Sequence, residues 1–243
     1  DTNTAIGLKM RKRCEGPESD LVEAFANLAP KRFWSRNNHI ALFFEPLLET
    51  GFPDIVICIY DPRHFDEWTS TRPRLQVQDL KVLHHLHLSG PTGVAAASIQ
   101  LGFDEQLMIQ TLENLRDAGL VRPVGKTWRP ISIKRAFGIK RLMAIEAKIS
   151  DWSDVLRQSR TNRWFASETY ALSPVQRPSA KVVQRSEQLG VGIYTCGKSE
   201  VIEVCPSIRS PLPSCYASWL FNEWIGRRLI DSSTRDLGGH VSA

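Results

Sequence analysis

The chain of 243 residues contains no apolar run of the roughly 20 residues that a membrane-spanning helix needs. The basic stretch of Lys9, Arg11, Lys12 and Arg13 is not followed by an apolar segment, which argues against a secretory signal peptide. Internal repeats and low-complexity tracts are also lacking, so a solenoid is not indicated. We therefore expect a cytoplasmic protein that makes no membrane contact.

Cysteine is scarce, with five residues that are odd in number, scattered, and never arranged as Cys-x-x-Cys. This pattern predicts neither a disulfide framework nor a zinc site. Reduced thiols are expected instead, with Cys58 and Cys196 buried in strands. Charge of one sign is only mildly in excess: 31 basic against 26 acidic residues leave a net charge of +5, which fits a polyanionic partner without requiring one.

The composition is that of a globular protein, with 42% hydrophobic and 23% charged residues. Apolar residues at helical spacing predict an amphipathic helix over Glu18–Leu28. His39–Phe44 and the run Ile55–Tyr60 predict strands. The second run is apolar on both faces, as is typical of a central strand in a covered sheet.

The periodicity becomes helical at Gln78 and returns to an alternating pattern after Pro130. Three short helices and a turn at Pro123–Lys126 lie in between, and a strand over Arg141–Ile149 and a helix capped by Asp151 follow. Neither α/β half is complete alone, so we predict one discontinuous α/β domain that carries an inserted module. The predicted parts are the core at 1–77, the insert at 78–130, the core again at 131–230, and a disordered tail at 231–243.

Three charged residues stand out against apolar surroundings. Glu146 and Lys148 are two apart in a predicted strand and therefore share a face, next to Leu142–Ile145. Such charges are costly to bury unless something binds them. A hard divalent cation would bind Glu146, and Asp54, just before another strand, would supply a second oxygen ligand.

Pro53-Asp54 and Glu146-Ala147-Lys148 resemble the PD-(D/E)xK motif of the restriction-endonuclease-like nuclease superfamily. The resemblance covers the two α/β parts, whose order is that superfamily's αβββαβ core. It implies that Asp54 and Glu146 bind Mg²⁺ or Mn²⁺ and that Lys148 is the catalytic lysine. The two acids are much further apart in sequence than is usual, and removing the insert restores an ordinary separation.

Further acids and a glutamine extend the candidate site. The superfamily often takes an extra acid from the first helix or the end of the first strand, which here means Glu18, Glu23 or Glu45, with Glu45 ranked above Glu23. Gln158 resembles a glutamine that helps to orient the site or the DNA in several branches of the superfamily. As an alternative, Gln158 is a plain surface residue.

Gln158 is surrounded in the sequence by Arg157, Arg160, Asn162 and Arg163, which predict a cationic, hydrogen-bonding surface for phosphates beside the metal. The alternative is a solvated basic face.

The insert resembles a winged helix-turn-helix domain. Its third helix, the recognition helix of that domain, carries several acids and one arginine, Arg116. The turn after it is more cationic, with Arg122, Lys126 and Arg129, which we expect to contact DNA. A protein–protein module is the alternative interpretation of the insert.

These features together predict a Mg²⁺- or Mn²⁺-dependent endonuclease that hydrolyses phosphodiester bonds of double-stranded DNA. DNA repair, restriction or phage defence, and mobile-element processing all fit this activity. Two alternatives stay open: a non-catalytic DNA-binding regulator, and an inactive nuclease-fold scaffold that recruits a protein partner through the winged helix. The oligomeric state is left open, a homodimer included.

Overall fold

The computed structural model describes residues 9–11, 15–33, 35, 37–197 and 199–238. Its centre is a six-stranded mixed sheet in the order β1-β2-β5-β6-β7-β8. The eight strands of the described chain are β1 His39–Phe44, β2 Ile55–Tyr60, β3 Val121–Val124, β4 Thr127–Pro130, β5 Ile139–Ala147, β6 Glu168–Ser173, β7 Gly192–Cys196 and β8 Val201–Cys205. The pairs β5–β6 and β6–β7 are parallel, and the other three pairs of the large sheet are antiparallel.

Helices cover both faces of this sheet. They are α1 Pro17–Leu28, α2 Pro30–Phe33, α3 Val77–Ser89, α4 Val94–Leu101, α5 Glu105–Asp117, α6 Ile133–Ala136, α7 Trp152–Thr161, α8 Ala180–Leu189 and α9 Tyr216–Gly238. The chain is therefore mixed α/β, as expected. When 61–138 and the four-residue helix α2 are set aside, α1, β1, β2, β5, α7 and β6 follow one another in the order helix-strand-strand-strand-helix-strand.

Strand β2 is buried along its whole length because both of its faces are covered. Ile55, Ile57 and Ile59 join a core cluster with Phe25 of α1 on one face. Val56, Cys58 and Tyr60 face the opposite side and join a larger cluster that contains residues of α3, α5 and α9. The predicted burial of Cys58 in a strand is confirmed, as is that of Cys196 in β7.

Residues 77–130, called the 77–130 segment below, form three helices and the two-stranded β3–β4 hairpin. They lie between β2 and β5, which are antiparallel neighbours. The flanking chains approach each other, because the Arg72 guanidinium donates to the Ala136 carbonyl over 2.6 Å.

Helix α3 packs the 77–130 segment onto the rest of the molecule. Leu80, Leu83 and Leu86 are fully buried in the same cluster as Trp219 and Phe221 of α9. The segment and the sheet therefore share one hydrophobic core.

Two predicted boundaries are wrong. The strand expected over Arg141–Ile149 runs over Ile139–Ala147, so Lys148 follows the strand directly, although its N–H still donates to Leu172 in the next strand (3.0 Å). Helix α9 continues to Gly238, so 231–238 are helical where the sequence predicts a disordered tail, because nothing from Asp231 to Leu237 is a helix breaker. The remainder of that tail, 239–243, lies outside the described residues. Within the described part of the chain, no helix combines the length and hydrophobicity of a membrane span.

Candidate active site

The two predicted metal ligands meet at one edge of the sheet. Ile55 opens β2 opposite Ile145 of β5, so Asp54 and Glu146 occupy the next, opposed positions of this antiparallel pair. Alternation along the strands places both acids on the face that carries Val56 and Ala144. Sequence-distant carboxylates thus become neighbours through strand pairing.

Each carboxylate is held by one hydrogen bond. The Ala147 N–H donates to Asp54 Oδ2 over 2.7 Å, and the Asn162 side-chain amide donates to Glu146 Oε1 over 2.5 Å. Among the described residues, Asp54 Oδ1 and Glu146 Oε2 accept no hydrogen bond. Each acid therefore keeps one oxygen available for a ligand.

Burial makes the charged forms of these acids unfavourable. Desolvation raises the pKa of Asp54 to about 6, although the Ala147 N–H opposes that shift. Desolvation, followed by the charge of Asp54, raises the pKa of Glu146 to about 8. Two carboxylates with raised pKa values on one face are the arrangement that a bound cation would relieve.

Lys148 extends from the end of β5 into the same region. Its ammonium donates to Glu18 Oε2 over 3.1 Å, and this bond raises the pKa of Lys148, which therefore stays charged. Glu18 belongs to the first turn of α1, so α1 contributes an acid to the site from the other face of the sheet.

A cleft of about 560 Å³ brings most of the candidate residues together. It is lined by Glu18, Glu45, Asp54, Glu146, Lys148 and Gln158, among others. Glu23 does not line it. Glu45 has a left-handed backbone (φ 44°), rare for a non-glycine residue, and its carboxylate lies 3.5 Å from the Arg11 guanidinium. Of the three additional acids considered, Glu18 and Glu45 reach the cleft.

Helix α7 lies beside the two metal-ligand candidates. Gln158 lines both the main cleft and a smaller cavity of about 250 Å³, which Arg157 and Glu146 also line. Arg157 and Arg160 are exposed. Arg163 differs from them, because its guanidinium donates to the carbonyls of Gly190 and Ile208. These bonds occupy the group that the sequence predicts to contact DNA, so Arg163 has a structural role.

The sequence places Asn162 near Gln158 but does not predict that Asn162 holds Glu146. In the structure Asn162 is buried and holds Glu146, and it lies at the C-terminal end of α7, four residues after Gln158. The spacing of four residues from Gln158 could have indicated that Asn162 faces the site. The residue type could not, because an asparagine among arginines is equally typical of a solvated surface.

The β3–β4 hairpin of the 77–130 segment carries the other predicted cations. Arg122 and Arg129 are directly opposed across it, Lys126 follows Gly125 in the turn, and all three are exposed. Like charges in opposed positions destabilise a hairpin unless an anion compensates them.

Within the described ranges, no three or more His, Cys, Asp or Glu side chains group closely enough to hold a metal ion by themselves. Mg²⁺ does not need such a cage, because it is usually bound by one or two carboxylates together with water and substrate phosphates. Asp54 and Glu146, each with one uncommitted oxygen, fit that donor set. No family model, curated protein or solved structure matches the chain.

Proposed function

We propose that the protein is a metal-dependent endonuclease that hydrolyses phosphodiester bonds of DNA. The observation that carries the proposal is the convergence of Asp54, Glu146 and Lys148 on one solvent-accessible cleft. The resemblance to the PD-(D/E)xK motif involves residues far apart in sequence, and the order of elements around the cleft supports it.

Each side chain has a distinct task in this proposal. A divalent cation bound by Asp54 and Glu146 would supply Lewis acidity and a water of lowered pKa. Lys148 places its positive charge where negative charge develops on the phosphate. Gln158 orients the substrate or the water, and Asn162 holds Glu146 in position.

The ion pair with Glu18 holds the Lys148 ammonium in the cleft before substrate binds. Glu18 is half-exposed at 48% of its side chain, whereas Lys148 is exposed at 27%. An ion pair with an exposed partner contributes little, so a phosphate can replace Glu18 at low cost.

DNA contact in the proposal uses exposed cations of two elements, helix α7 and the β3–β4 hairpin. Arg157 and Arg160 are exposed on α7, the helix that also carries Gln158 of the cleft, and Arg122, Lys126 and Arg129 lie on the hairpin. In this proposal the 77–130 segment is a winged helix. Its β3–β4 hairpin is the wing and contacts phosphates.

The test is cleavage of supercoiled plasmid with Mg²⁺ or Mn²⁺, beside a reaction containing EDTA. The near-isosteric variants Asp54→Asn, Glu146→Gln and Lys148→Met are each expected to lower the rate by at least about 100-fold. Lys140→Met serves as a matched control, because Lys140 is exposed at the opposite end of β5 and should keep full activity.

Metal binding measured by calorimetry on the same variants separates the roles. Asp54→Asn and Glu146→Gln should weaken Mn²⁺ binding, whereas Lys148→Met should retain it. Cleavage by Lys148→Met at the wild-type rate, or cleavage that persists in EDTA, would refute the proposal.

A further inference from the structure

A second cavity, of about 410 Å³, lies between α7 and α8 and is called the α7–α8 groove here. Its apolar lining comes from both helices and consists of Trp152, Leu156, Val182 and Leu189. The volume is within the range of small-ligand sites. The function proposed above uses Arg157 and Arg160 at the rim of this groove but not its apolar lining.

The rim of the groove is cationic. Its charged lining residues are Arg157, Arg160, Lys181 and Arg185, and no carboxylate of the described chain lines it. Arg157 pairs with Asp154, and Arg185 donates a hydrogen bond to the neutral Gln188 over 3.4 Å without an ion pair to any described residue. Arg160 and Lys181 have no ion pair to any described residue. The groove is therefore suited to an anionic occupant.

Trp152 gives the groove an aromatic surface. The indole is partly buried against a small cluster that includes Val155 and Val191, and it also lines the groove. An aromatic ring beside unpaired cations is the combination with which proteins bind single-stranded nucleic acid, because bases stack while cations follow the phosphates.

The groove adjoins the candidate active site through one residue. Arg157 lines the α7–α8 groove and also the cavity that contains Glu146 and Gln158. A strand whose phosphate occupies the cleft can therefore continue across α7 into the groove. This continuity favours nucleic acid over an acidic protein segment as the occupant.

We propose that the α7–α8 groove binds an unpaired strand of the nucleic acid substrate, with a base stacked on Trp152 and phosphates on Arg160, Lys181 and Arg185. The substrate class would then be DNA with a single-stranded flank, such as an overhang or a flap. The inference builds on the proposed nuclease function, but binding is measurable without catalysis.

The experiment measures anisotropy of a labelled oligothymidylate of about 12 nucleotides, and of a duplex of equal length, in EDTA. Trp152→Leu, which keeps apolar bulk without stacking, should weaken oligonucleotide binding about 5- to 100-fold and spare the duplex. Trp152→Phe should restore most of the affinity.

Charge variants provide an independent arm. Lys181→Gln with Arg185→Gln should reduce the salt dependence of oligonucleotide binding by about 0.7 for each phosphate that the variant no longer neutralises. Lys134→Gln with Arg135→Gln, on α6 at the opposite end of β5, is the matched control and should leave the slope unchanged. If circular dichroism shows that Trp152→Leu does not fold, the comparison of these two double variants tests the inference instead.

Equal decreases in affinity for oligonucleotide and duplex, or no decrease in either arm, would overturn the inference. So would wild-type protein that ignores the oligonucleotide but binds an acidic, aromatic peptide through Trp152. Plasmid cleavage together with binding that does not depend on Trp152 would support the nuclease function and refute the role of the groove. Binding that depends on Trp152 without any cleavage would support the groove and refute the nuclease function.

Discussion

Helices α5 and α7 have the same amphipathic design but expose opposite charges. The exposed face of α5 carries Glu105 and Asp117, and its arginine, Arg116, pairs with Asp117 and the neighbouring Glu113. The exposed face of α7 carries Arg157 and Arg160, and Arg157 lines a cavity together with the candidate metal ligand Glu146.

This contrast indicates where a polyanion would bind. A helix that enters a major groove needs side chains that donate to base edges or phosphates, and an excess of carboxylates repels the phosphates. Helix α5 does not meet that requirement, whereas α7 and the β3–β4 hairpin present exposed cations. The 77–130 segment would therefore contact DNA through its hairpin, and the α5 face is better suited to a protein.

The largest expected effect tests whether the 77–130 segment, which contains α5, can be separated from the sheet domain, which contains α7. Leu83 is fully buried between α3 and the rest of the shared core, so Leu83→Ala should lower the free energy of unfolding by about 2–5 kcal/mol. Urea denaturation checks this, with the exposed Leu88→Ala as control. A decrease well below that range, within the scatter of surface substitutions, would mean that the 77–130 segment is an independent module.

The same reasoning changes an expectation about deletion. If 78–130 were a separately folded insert, a Gly/Ser linker in its place would spare the metal site. Removing α3 would expose the α9 residues Trp219 and Phe221, so a deletion that retains 77–89 is the better test of the remaining segment.

The comparison of α5 with α7 is tested directly by two double variants. Arg157→Gln with Arg160→Gln should weaken DNA binding about 10- to 100-fold at low salt and reduce the salt slope by about 0.9 for each duplex phosphate that is no longer neutralised. Glu113→Gln with Asp117→Asn should leave binding unchanged or strengthen it. Weaker DNA binding by the α5 variant would reverse the assignment of the two faces.

A pH series sharpens the description of the core site. The pKa of Glu146 is raised in the folded state to about 8 from an ordinary value of 4.5, so its contribution to stability is complete below pH 4.5 and is lost as pH rises through 8. Glu146→Gln mimics the protonated acid. Without metal, its Tm should match wild type near pH 5 and exceed it by a few degrees at pH 8.

Addition of Mn²⁺ at pH 8 supplies the control for that series. It should raise the Tm of wild type but not of Glu146→Gln, because binding to the folded state stabilises it. A Tm difference that is constant across pH would contradict the assigned proton linkage.

The smallest effect is expected at the hairpin. Changing Arg122, Lys126 and Arg129 to Gln should reduce the salt slope of duplex binding by about 0.9 for each phosphate released, without altering sequence preference. Affinity measured against salt on two unrelated duplexes tests this. Unchanged slopes would show that the hairpin does not touch DNA.

Much of the coarse picture is readable from local pattern. The all-apolar run of β2 predicts a central strand, and helical spacing predicts α1, α3 and α5 within a few residues. The E-x-K triplet singles out Glu146 and Lys148 because charges within an apolar strand need a reason. Boundaries are less predictable, as the end of β5 before Lys148 and the extension of α9 show.

Residue type and spacing by themselves determined the α/β class, the change of pattern near residues 78 and 130, and the candidate acids, because periodicity and burial cost are local properties. Only the tertiary structure decided that Asn162 holds Glu146, that Glu18 holds Lys148, and that Arg163 binds backbone carbonyls instead of facing solvent. It also decided that α3 belongs to the shared core. Those outcomes depend on which distant segments pack together, and long-range packing leaves no periodic trace in the sequence.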